Sequence, residues 1–172
     1  MKIRQLELED AEAYLALRLE ALQNDPDSFA ASFEEEKDQT AEKYRNRFAA
    51  PDHTVTYGAF DDDSHQLIGV VTLFREQRLK LRHRANVTAM YTKPDNRGCG
   101  IGKALLTQII ETARGLEDIE QVYLAVVSQN GPAKKLYASL GFETFGIEKN
   151  ALKINDMYFD EELMVLFLYS DL

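Results

Sequence analysis

A glycine-rich turn between a predicted strand and a predicted helix constrains this chain more than any other stretch. The turn reads Arg97, Gly98, Cys99, Gly100, Ile101, Gly102 and Lys103. The apolar segment 85–92 precedes it, and residues 104–114 carry apolar side chains at helical spacing. Glycine permits a tight turn and lets a ligand approach the backbone, while a helix N-terminus supplies unpaired N–H donors. The turn therefore predicts a phosphate or pyrophosphate site.

Two nucleotide-binding motifs fit this turn poorly. A Walker A loop requires Ser or Thr after its lysine, but Ala104 follows Lys103. The dinucleotide-binding pattern G-x-G-x-x-G requires a wider final spacing than the one between Gly100 and Gly102. An enzyme that binds ATP or NAD through this turn is therefore kept only as an alternative.

Two segments together resemble the GNAT superfamily of N-acetyltransferases. The pattern Arg97-x-x-Gly100-x-Gly102 is similar to the acetyl-CoA signature of that family. Residues 130–142, in which an Asn precedes a predicted helix that carries Tyr137 and ends before Gly-Phe, resemble a second motif of the family. Because both motifs occur in the family's order, the resemblance implies an acetyl-CoA-dependent N-acetyltransferase of the small bacterial type.

The order of the predicted elements indicates a single domain over residues 1–172 with a mixed α/β architecture. The 172 residues, 45% of them hydrophobic, suffice for one domain with its own core. The resemblance implies the GNAT fold, a central, mixed, mostly antiparallel sheet flanked by helices, in which the fourth strand splays from the fifth. Strand patterns occur at 2–8, 54–60, 67–74, 85–92, 121–127, 143–148 and 157–169, and helix patterns at 9–23, 40–48, 104–114 and 131–140.

Composition narrows the environment and the partners. Cys99 is the only cysteine, so no intramolecular disulfide is expected, and the N-terminus has no apolar signal segment. No apolar run is long enough to cross a bilayer. These features predict a cytoplasmic protein without a membrane partner. The net charge of −9 argues against nucleic acid and favours a cationic substrate such as an amine, and no spacing of His, Cys or Asp predicts a metal site.

The resemblance implies the reaction and the ligand contacts. An acetyl group would pass from acetyl-CoA to a primary amine by direct attack. The acceptor would be a small molecule (amino-acid-like, a polyamine or another amine) or a protein amine, and a homodimer is implied by family analogy alone. The implied cofactor-binding residues are Met90, Tyr91 and Thr92 on the fourth strand, Arg97, Gly98, Cys99, Gly100, Ile101, Gly102 and Lys103 in the turn, and Asn130.

Tyr137 corresponds to the family tyrosine that faces the sulfur of CoA. An unperturbed phenol has a pKa of about 10, so it is protonated at neutral pH and can donate a proton to a departing thiolate. Tyr137 is therefore the predicted general acid, with helix packing as the alternative role.

The general base is not evident from the sequence. Many relatives carry a Glu on the fourth strand, but residues 85–92 contain no acid. Glu34 and Glu35 lie in the region that borders the acceptor site in this fold. Asp160 and Glu161 lie on the last predicted strand. All four are also explained as solvated surface groups, and an amine that loses its proton to water before attack is an equal alternative.

Two further alternatives stay open. The missing acid on the fourth strand is compatible with a non-catalytic acyl-CoA-binding module on the same fold, although Tyr137 argues against it. The basic segment 75–84 predicts a solvated hairpin. Its other interpretation is a contact to the adenosine 3′-phosphate or to an acidic partner.

Overall fold

Seven strands form one sheet, in the order β1-β2-β3-β4-β5-β7-β6, in the computed structural model, which describes residues 1–169. Every neighbouring pair is antiparallel except β4 and β5, which run parallel. The predicted mixed, mostly antiparallel sheet is therefore confirmed. The strands are β1 (Lys2–Gln5), β2 (Thr54–Phe60), β3 (Leu67–Arg75), β4 (Arg84–Thr92), β5 (Gln121–Val127), β6 (Glu143–Ile154) and β7 (Met157–Phe167).

Five α-helices within residues 1–169 accompany this sheet. They are α1 (Ala11–Asn24), α2 (Phe33–Glu36), α3 (Glu42–Ala49), α4 (Ile101–Arg114) and α5 (Gly131–Ser139). Polar side chains fix two helix starts. Ser32 accepts a hydrogen bond from the N–H of Glu35, and Asn130 accepts one from the N–H of Ala133 at 3.2 Å. In this described part of the chain, no helix is both long and apolar enough to cross a membrane.

Two apolar clusters, one on each face, hold the helices against the sheet. Val70 and Val71 are neighbours on β3 but belong to different clusters, because successive strand residues point to opposite faces. Burying one large aliphatic or aromatic side chain stabilises the fold by about 1.5–3 kcal/mol. The buried residues include Leu105, Leu106 and Ile109 of α4 in the first cluster, and Tyr14, Leu17 and Tyr44 of α1 and α3 in the second.

β4 and β5 pair over a short distance and then diverge. The paired residues are Arg84 with Gln121, Ala85 with Val122 and Asn86 with Tyr123. Beyond them, residues 87–92 and 124–127 form no ladder with each other. Each strand therefore has a backbone edge that faces a cleft instead of a neighbouring strand.

A bulge in β4 accompanies this divergence. Two residues of β4, Ala89 and Met90, face the single residue Val71 of β3. Ala89 has a φ of +51°, in the left-handed region. Such a bulge bends its strand and increases the local twist. β4 can therefore turn away from β5 while its pairing with β3 continues on both sides of the bulge.

Three predicted boundaries differ from the structure by three residues or more. β1 ends at Gln5, before residue 8, because residues 8–10 form a 3₁₀ turn ahead of α1. β6 extends to Ile154 instead of ending at residue 148, since its pairing with β7 resumes beyond a register shift in a polar stretch. α4 begins at Ile101, before residue 104, because Gly100 adopts the left-handed conformation and supplies the helix N-cap.

Thr56 and Thr72 form a buried hydroxyl pair across β2 and β3. Their Oγ1 atoms lie 2.9 Å apart, and both residues are 2% exposed. We expect Thr72→Val to lower the free energy of unfolding by about 1–3 kcal/mol, because the hydroxyl of Thr56 would stay buried without its partner. The double variant with Thr56→Val should lose less, since no unpaired hydroxyl remains. Urea denaturation of the wild type, the two single variants and the double variant measures these free energies. A double variant less stable than Thr72→Val would contradict the prediction.

Candidate functional site

The cleft between β4 and β5 belongs to a cavity of about 1550 Å³. The cavity begins at the glycine turn, follows residues 87–92 and 124–127 of the two diverging strands, and extends to α1, α2 and α3. Although the chain carries a net charge of −9, six basic and four acidic residues line this cavity. The charge of the cavity wall is therefore opposite in sign to that of the whole molecule.

The glycine turn forms one end of the cavity. Gly98 and Gly100 have φ values of +78° and +81°, and a Cβ added at either would meet no atom within 4 Å. Backbone conformation, not crowding, therefore requires glycine at these two positions. The N–H groups of residues 98–103 have no backbone acceptor among the described residues, and they lead into the 14-residue helix α4. Consecutive free N–H groups at a helix N-terminus fit the diphosphate of acetyl-CoA.

Arg97 is bound to protein groups next to the turn. Its Nε donates a hydrogen bond to the carbonyl oxygen of Thr92 at 3.0 Å, and its Nη2 donates to the carboxylate of Asp25. The guanidinium carbon lies 5.5 Å from the ring centroid of Tyr91. Arg97 therefore joins the end of β4 to the end of α1 and holds the turn in place.

The side chains of Tyr91 and Cys99 do not have the surroundings expected of reacting groups. The hydroxyl of Tyr91 accepts a hydrogen bond from Asn24 at 3.0 Å and donates one to Glu20 at 3.1 Å. These bonds tie Tyr91 to α1, so that only its backbone is available to the cleft. Cys99 is exposed in the turn and lies outside the cavity wall.

Tyr137 reaches the cleft from α5. Its side chain is 9% exposed, and its hydroxyl contacts the Sδ of Met90 on β4 at 3.5 Å. Burial raises the pKa of Tyr137 to about 12, so the phenol stays protonated at neutral pH. The ring also packs edge-on against Phe142, with centroids 6.1 Å apart. Tyr137 thus combines the packing role with a protonated hydroxyl at the cleft, and Asn130, which caps the same helix, lines the cavity beside it.

The structure brings Glu36 to the cavity in place of Glu34 and Glu35, which were predicted to border the acceptor site. Glu34 and Glu35 are exposed and lie outside the cavity wall, whereas Glu36 is 7% exposed and lines it. The helical phase of α2 turns only the third glutamate of the run inward. Burial alone would raise the pKa of Glu36, but the hydrogen bonds and charge of Arg18 lower that pKa below its ordinary value.

Asp160 and Glu161 also lie outside the cavity wall. Asp160 accepts a hydrogen bond from Lys149 at 2.7 Å, which lowers the pKa of Asp160. Burial, together with the charge of Glu148, raises the pKa of Glu161. Neither carboxylate is placed to take a proton in the cleft.

Sequence reasoning missed several charged residues of the cavity. Arg84 belongs to the segment expected to be a solvated hairpin, yet its guanidinium carbon lies 4.0 Å from the ring centroid of Tyr123. Local signals exist on α1, where Tyr14 and Arg18 are one helical turn apart, and on α3, where Lys43 and Arg47 are. No spacing joins these two helices to each other or to the rest of the cavity wall. The missed charged residues are Arg18, Asp25, Asp27, Glu36, Lys43, Arg47, Glu76 and Arg84.

The solved structures that share this fold include two acetyltransferases from bacteria. An acetyltransferase of the GNAT family from Streptococcus pneumoniae is 25% identical, with a TM-score of 0.84 over 96% of this chain and 98% of that one. A putative acetyltransferase from Salmonella typhimurium, solved with acetyl-CoA, is 18% identical, with a TM-score of 0.85 over 100% of this chain and 96% of that one.

Sequence comparison gives two further findings. The mycothiol acetyltransferase of Brachybacterium faecium is 29% identical over 140 residues. That similarity covers 81% of this chain and 40% of the relative, so this chain spans about two fifths of that protein's length. The family model described as an acetyltransferase (GNAT) domain matches residues 3–163. Because this match extends over nearly the whole chain and the fold agrees with it, the chain belongs to the GNAT family of acetyl-CoA-dependent acetyltransferases.

Proposed function

We propose that this protein transfers the acetyl group of acetyl-CoA to a primary amine by direct attack. The observation that supports this function best is the free edge of β4. This edge leads from the unpaired N–H groups of the glycine turn to the hydroxyl of Tyr137. It offers a diphosphate site, an extended channel and a proton donor in the order in which acetyl-CoA would need them.

Backbone groups would supply most contacts to acetyl-CoA. The N–H groups of residues 98–103, which include Ile101 and Gly102, would bind the diphosphate, and the exposed Lys103 adds a positive charge. The edge of β4 at residues 90–92 would hydrogen-bond the pantetheine arm and the thioester oxygen, as an added strand would. Arg97 would act by holding the turn.

Tyr137 would donate its proton to the sulfur as the carbon–sulfur bond breaks and the amine nitrogen bonds to the acetyl carbon. The burial that keeps Tyr137 protonated also disfavours a thiolate that forms beside it. The first effect keeps the proton donor in its protonated form, although it also makes the phenol a weaker acid. The second effect drives the proton from oxygen to sulfur in the transition state.

Direct attack needs no nucleophilic side chain, and the cysteine of the chain is not placed to supply one. Cys99 is the only cysteine of the chain, and it is exposed outside the cavity wall. Residues 84–92 of β4 contain no carboxylate, and the cavity carboxylates of Glu36 and Glu76 already accept hydrogen bonds from Arg18 and Asn86. The amine would therefore lose its proton to water before it attacks. The acceptor would be a small amine or a protein amine.

Gly100→Ala should weaken acetyl-CoA binding and lower stability by about 1 kcal/mol, because residue 100 has a left-handed φ that Ala disfavours. Gly131→Ala is the matched control, since a Cβ there also meets open space but the backbone has no positive φ. Calorimetric titration with acetyl-CoA and urea denaturation measure both effects. Equal behaviour of the two variants would contradict the importance of the turn's conformation.

We expect Tyr137→Phe to lower kcat by about 10²–10⁴-fold and to leave the acetyl-CoA dissociation constant unchanged, because it removes only the proton donor. Tyr57→Phe is the control, since that hydroxyl contacts Thr112 outside the cavity. Release of the CoA thiol with a panel of amines measures turnover. If Tyr137→Phe kept full turnover, Tyr137 would serve only to pack the helix and would not be the general acid. Wild-type protein that binds acetyl-CoA but acetylates no amine would be the non-catalytic module.

The pH dependence of kcat/KM should follow the amine of the acceptor, since no carboxylate on β4 can act as its base. The rate should rise with pH as the amine loses its proton. The midpoint should lie near pH ~8 for an α-amino group and near ~10 for a lysine-type amine, which are the ordinary pKa values of these groups. Steady-state rates with one acceptor of each kind provide the measurement. A shared midpoint would instead indicate a base on the enzyme.

A further inference from the structure

We propose, building on the proposed acetyl transfer, that the acceptor amine also carries a carboxylate, which Arg84 and Arg47 bind. Both arginines line the cavity, Arg84 at the start of β4 and Arg47 on α3. Neither forms a salt bridge with any described residue, although both are partly buried. A buried cation without a counter-ion is unfavourable, so an anion in the cavity would stabilise both.

Arg84 presents an unpaired guanidinium to the cavity. The ring of Tyr123 covers one face of the guanidinium, with the Arg84 Cζ 4.0 Å from the ring centroid. Its Nε is buried without a hydrogen-bond partner, while its two Nη atoms are not among the buried atoms. Neither Nη atom bonds to any residue in 1–169, so both remain available to a ligand. The planar pair of Nη atoms matches the two oxygens of a carboxylate.

Arg47 brings a second unpaired guanidinium from the helical layer. Its Cζ lies 5.1, 5.1 and 5.3 Å from the ring centroids of Tyr14, Tyr44 and Phe48. Its Nε and Nη2 are buried next to these rings without an acceptor. The rings hold the guanidinium in one orientation but cannot neutralise its charge. Arg47 therefore adds positive potential to the wall of the cavity that Arg84 also lines.

Arg18, unlike Arg84 and Arg47, has a carboxylate partner within the protein. Its Nε and Nη2 each donate a hydrogen bond to one oxygen of Glu36, both at 3.1 Å. No protein carboxylate does the same for Arg84 within the described residues. Glu76 lines the cavity too, and its N–H donates to the carbonyl oxygen of Arg84 at 3.1 Å. Its carboxylate, however, accepts a hydrogen bond from Asn86 at 3.0 Å and none from the guanidinium of Arg84. The hydrogen-bonding partner of that guanidinium would therefore come from the ligand.

Acetyl-CoA does not account for these arginines. Arg84 and Thr92 are the two ends of β4, about 26 Å apart at about 3.3 Å per residue, and the glycine turn lies beyond Thr92. The guanidinium of Arg84 lies over Tyr123, which is level with Asn86 in the sheet. The proposed diphosphate site and Arg84 therefore lie at opposite ends of β4. The acceptor is the substrate left for the arginine end.

The wall near the arginines is rich in aromatic side chains. This composition favours an apolar body between the amine and the carboxylate. The carboxylate would fix one end of the acceptor, and the amine would then extend along the cavity toward the free edge of β4. The aromatic residues of this wall are Tyr14, Phe29, Tyr44, Phe74, Tyr123 and Phe145.

Matched acceptors that differ only in the carboxylate test the inference. L-Phenylalanine and L-alanyl-L-phenylalanine, each beside its carboxamide, present the carboxylate at two distances from the amine. We expect the acid to exceed the amide in kcat/KM in at least one pair, with each value calculated for the unprotonated amine. Arg84→Met should lower kcat/KM for that acid about 30-fold or more, as loss of one partner of a desolvated charge pair does, and should barely change the amide.

Three companion variants separate recognition from folding. Arg84→Lys keeps the charge without the paired donors and should fall between wild type and Arg84→Met. Arg47→Met should reduce the preference for the acid less strongly, since only Nη1 is free of the covering rings. Arg82→Met, at an exposed position outside the cavity wall, is the control and should behave as wild type.

Calorimetric titration with 3-phenylpropionate in the presence of CoA measures carboxylate binding at the proposed site without turnover. This probe has a carboxylate and a ring but no amine that could be acetylated. Amides acetylated as well as acids in both pairs would overturn the inference and leave the proposed function standing. Binding of 3-phenylpropionate that depends on Arg84, with no amine acetylated, would overturn the proposed function and support the carboxylate site. Neither binding of the probe nor acetylation of any amine would overturn both.

Discussion

The site depends on how little of β4 pairs with β5. Three residue pairs join the two halves of the sheet, and beyond Asn86 the strands face a cleft instead of each other. The bulge at Ala89 and Met90 lets β4 bend while it stays paired with β3. A left-handed non-glycine residue costs roughly 1–2 kcal/mol, which the two apolar clusters easily offset. The same bend gives β4 an unpaired backbone edge and places Met90 against Tyr137.

A set of polar contacts joins the glycine turn to the helical layer. Asp25 at the end of α1 accepts from Arg97, and Glu20 one turn earlier accepts from Tyr91 and pairs with Lys93 at 3.4 Å. These contacts connect α1 to both the end of β4 and the start of the turn. The glycine-turn end of the cavity and the helix that carries Arg18 to the cavity wall therefore form one connected framework.

Local sequence patterns identified the parts of the site that depend on local geometry. The turn from Gly98 to Gly102 and the cap of α5 by Asn130 follow from residues that are close in sequence, and both are found where they were expected. The inward position of Glu36 depends on the phase of a four-residue helix, which periodicity cannot determine over so short a length. Arg47 and Arg84 line one cavity only through tertiary packing, so no spacing in the chain indicates them.

The opposite charges of the molecule and its cavity have a consequence for how a ligand arrives. A protein of net charge −9 repels a polyanion such as acetyl-CoA at distances beyond the cavity mouth, and this repulsion is screened over about 10 Å at 0.1 M salt. The excess of basic side chains on the cavity wall attracts the same ligand once it has entered. Dissolved salt therefore raises the rate at which acetyl-CoA reaches the cavity mouth and weakens its attraction to the cavity wall. A high ionic strength favours fast association, whereas a low one favours a long-lived complex.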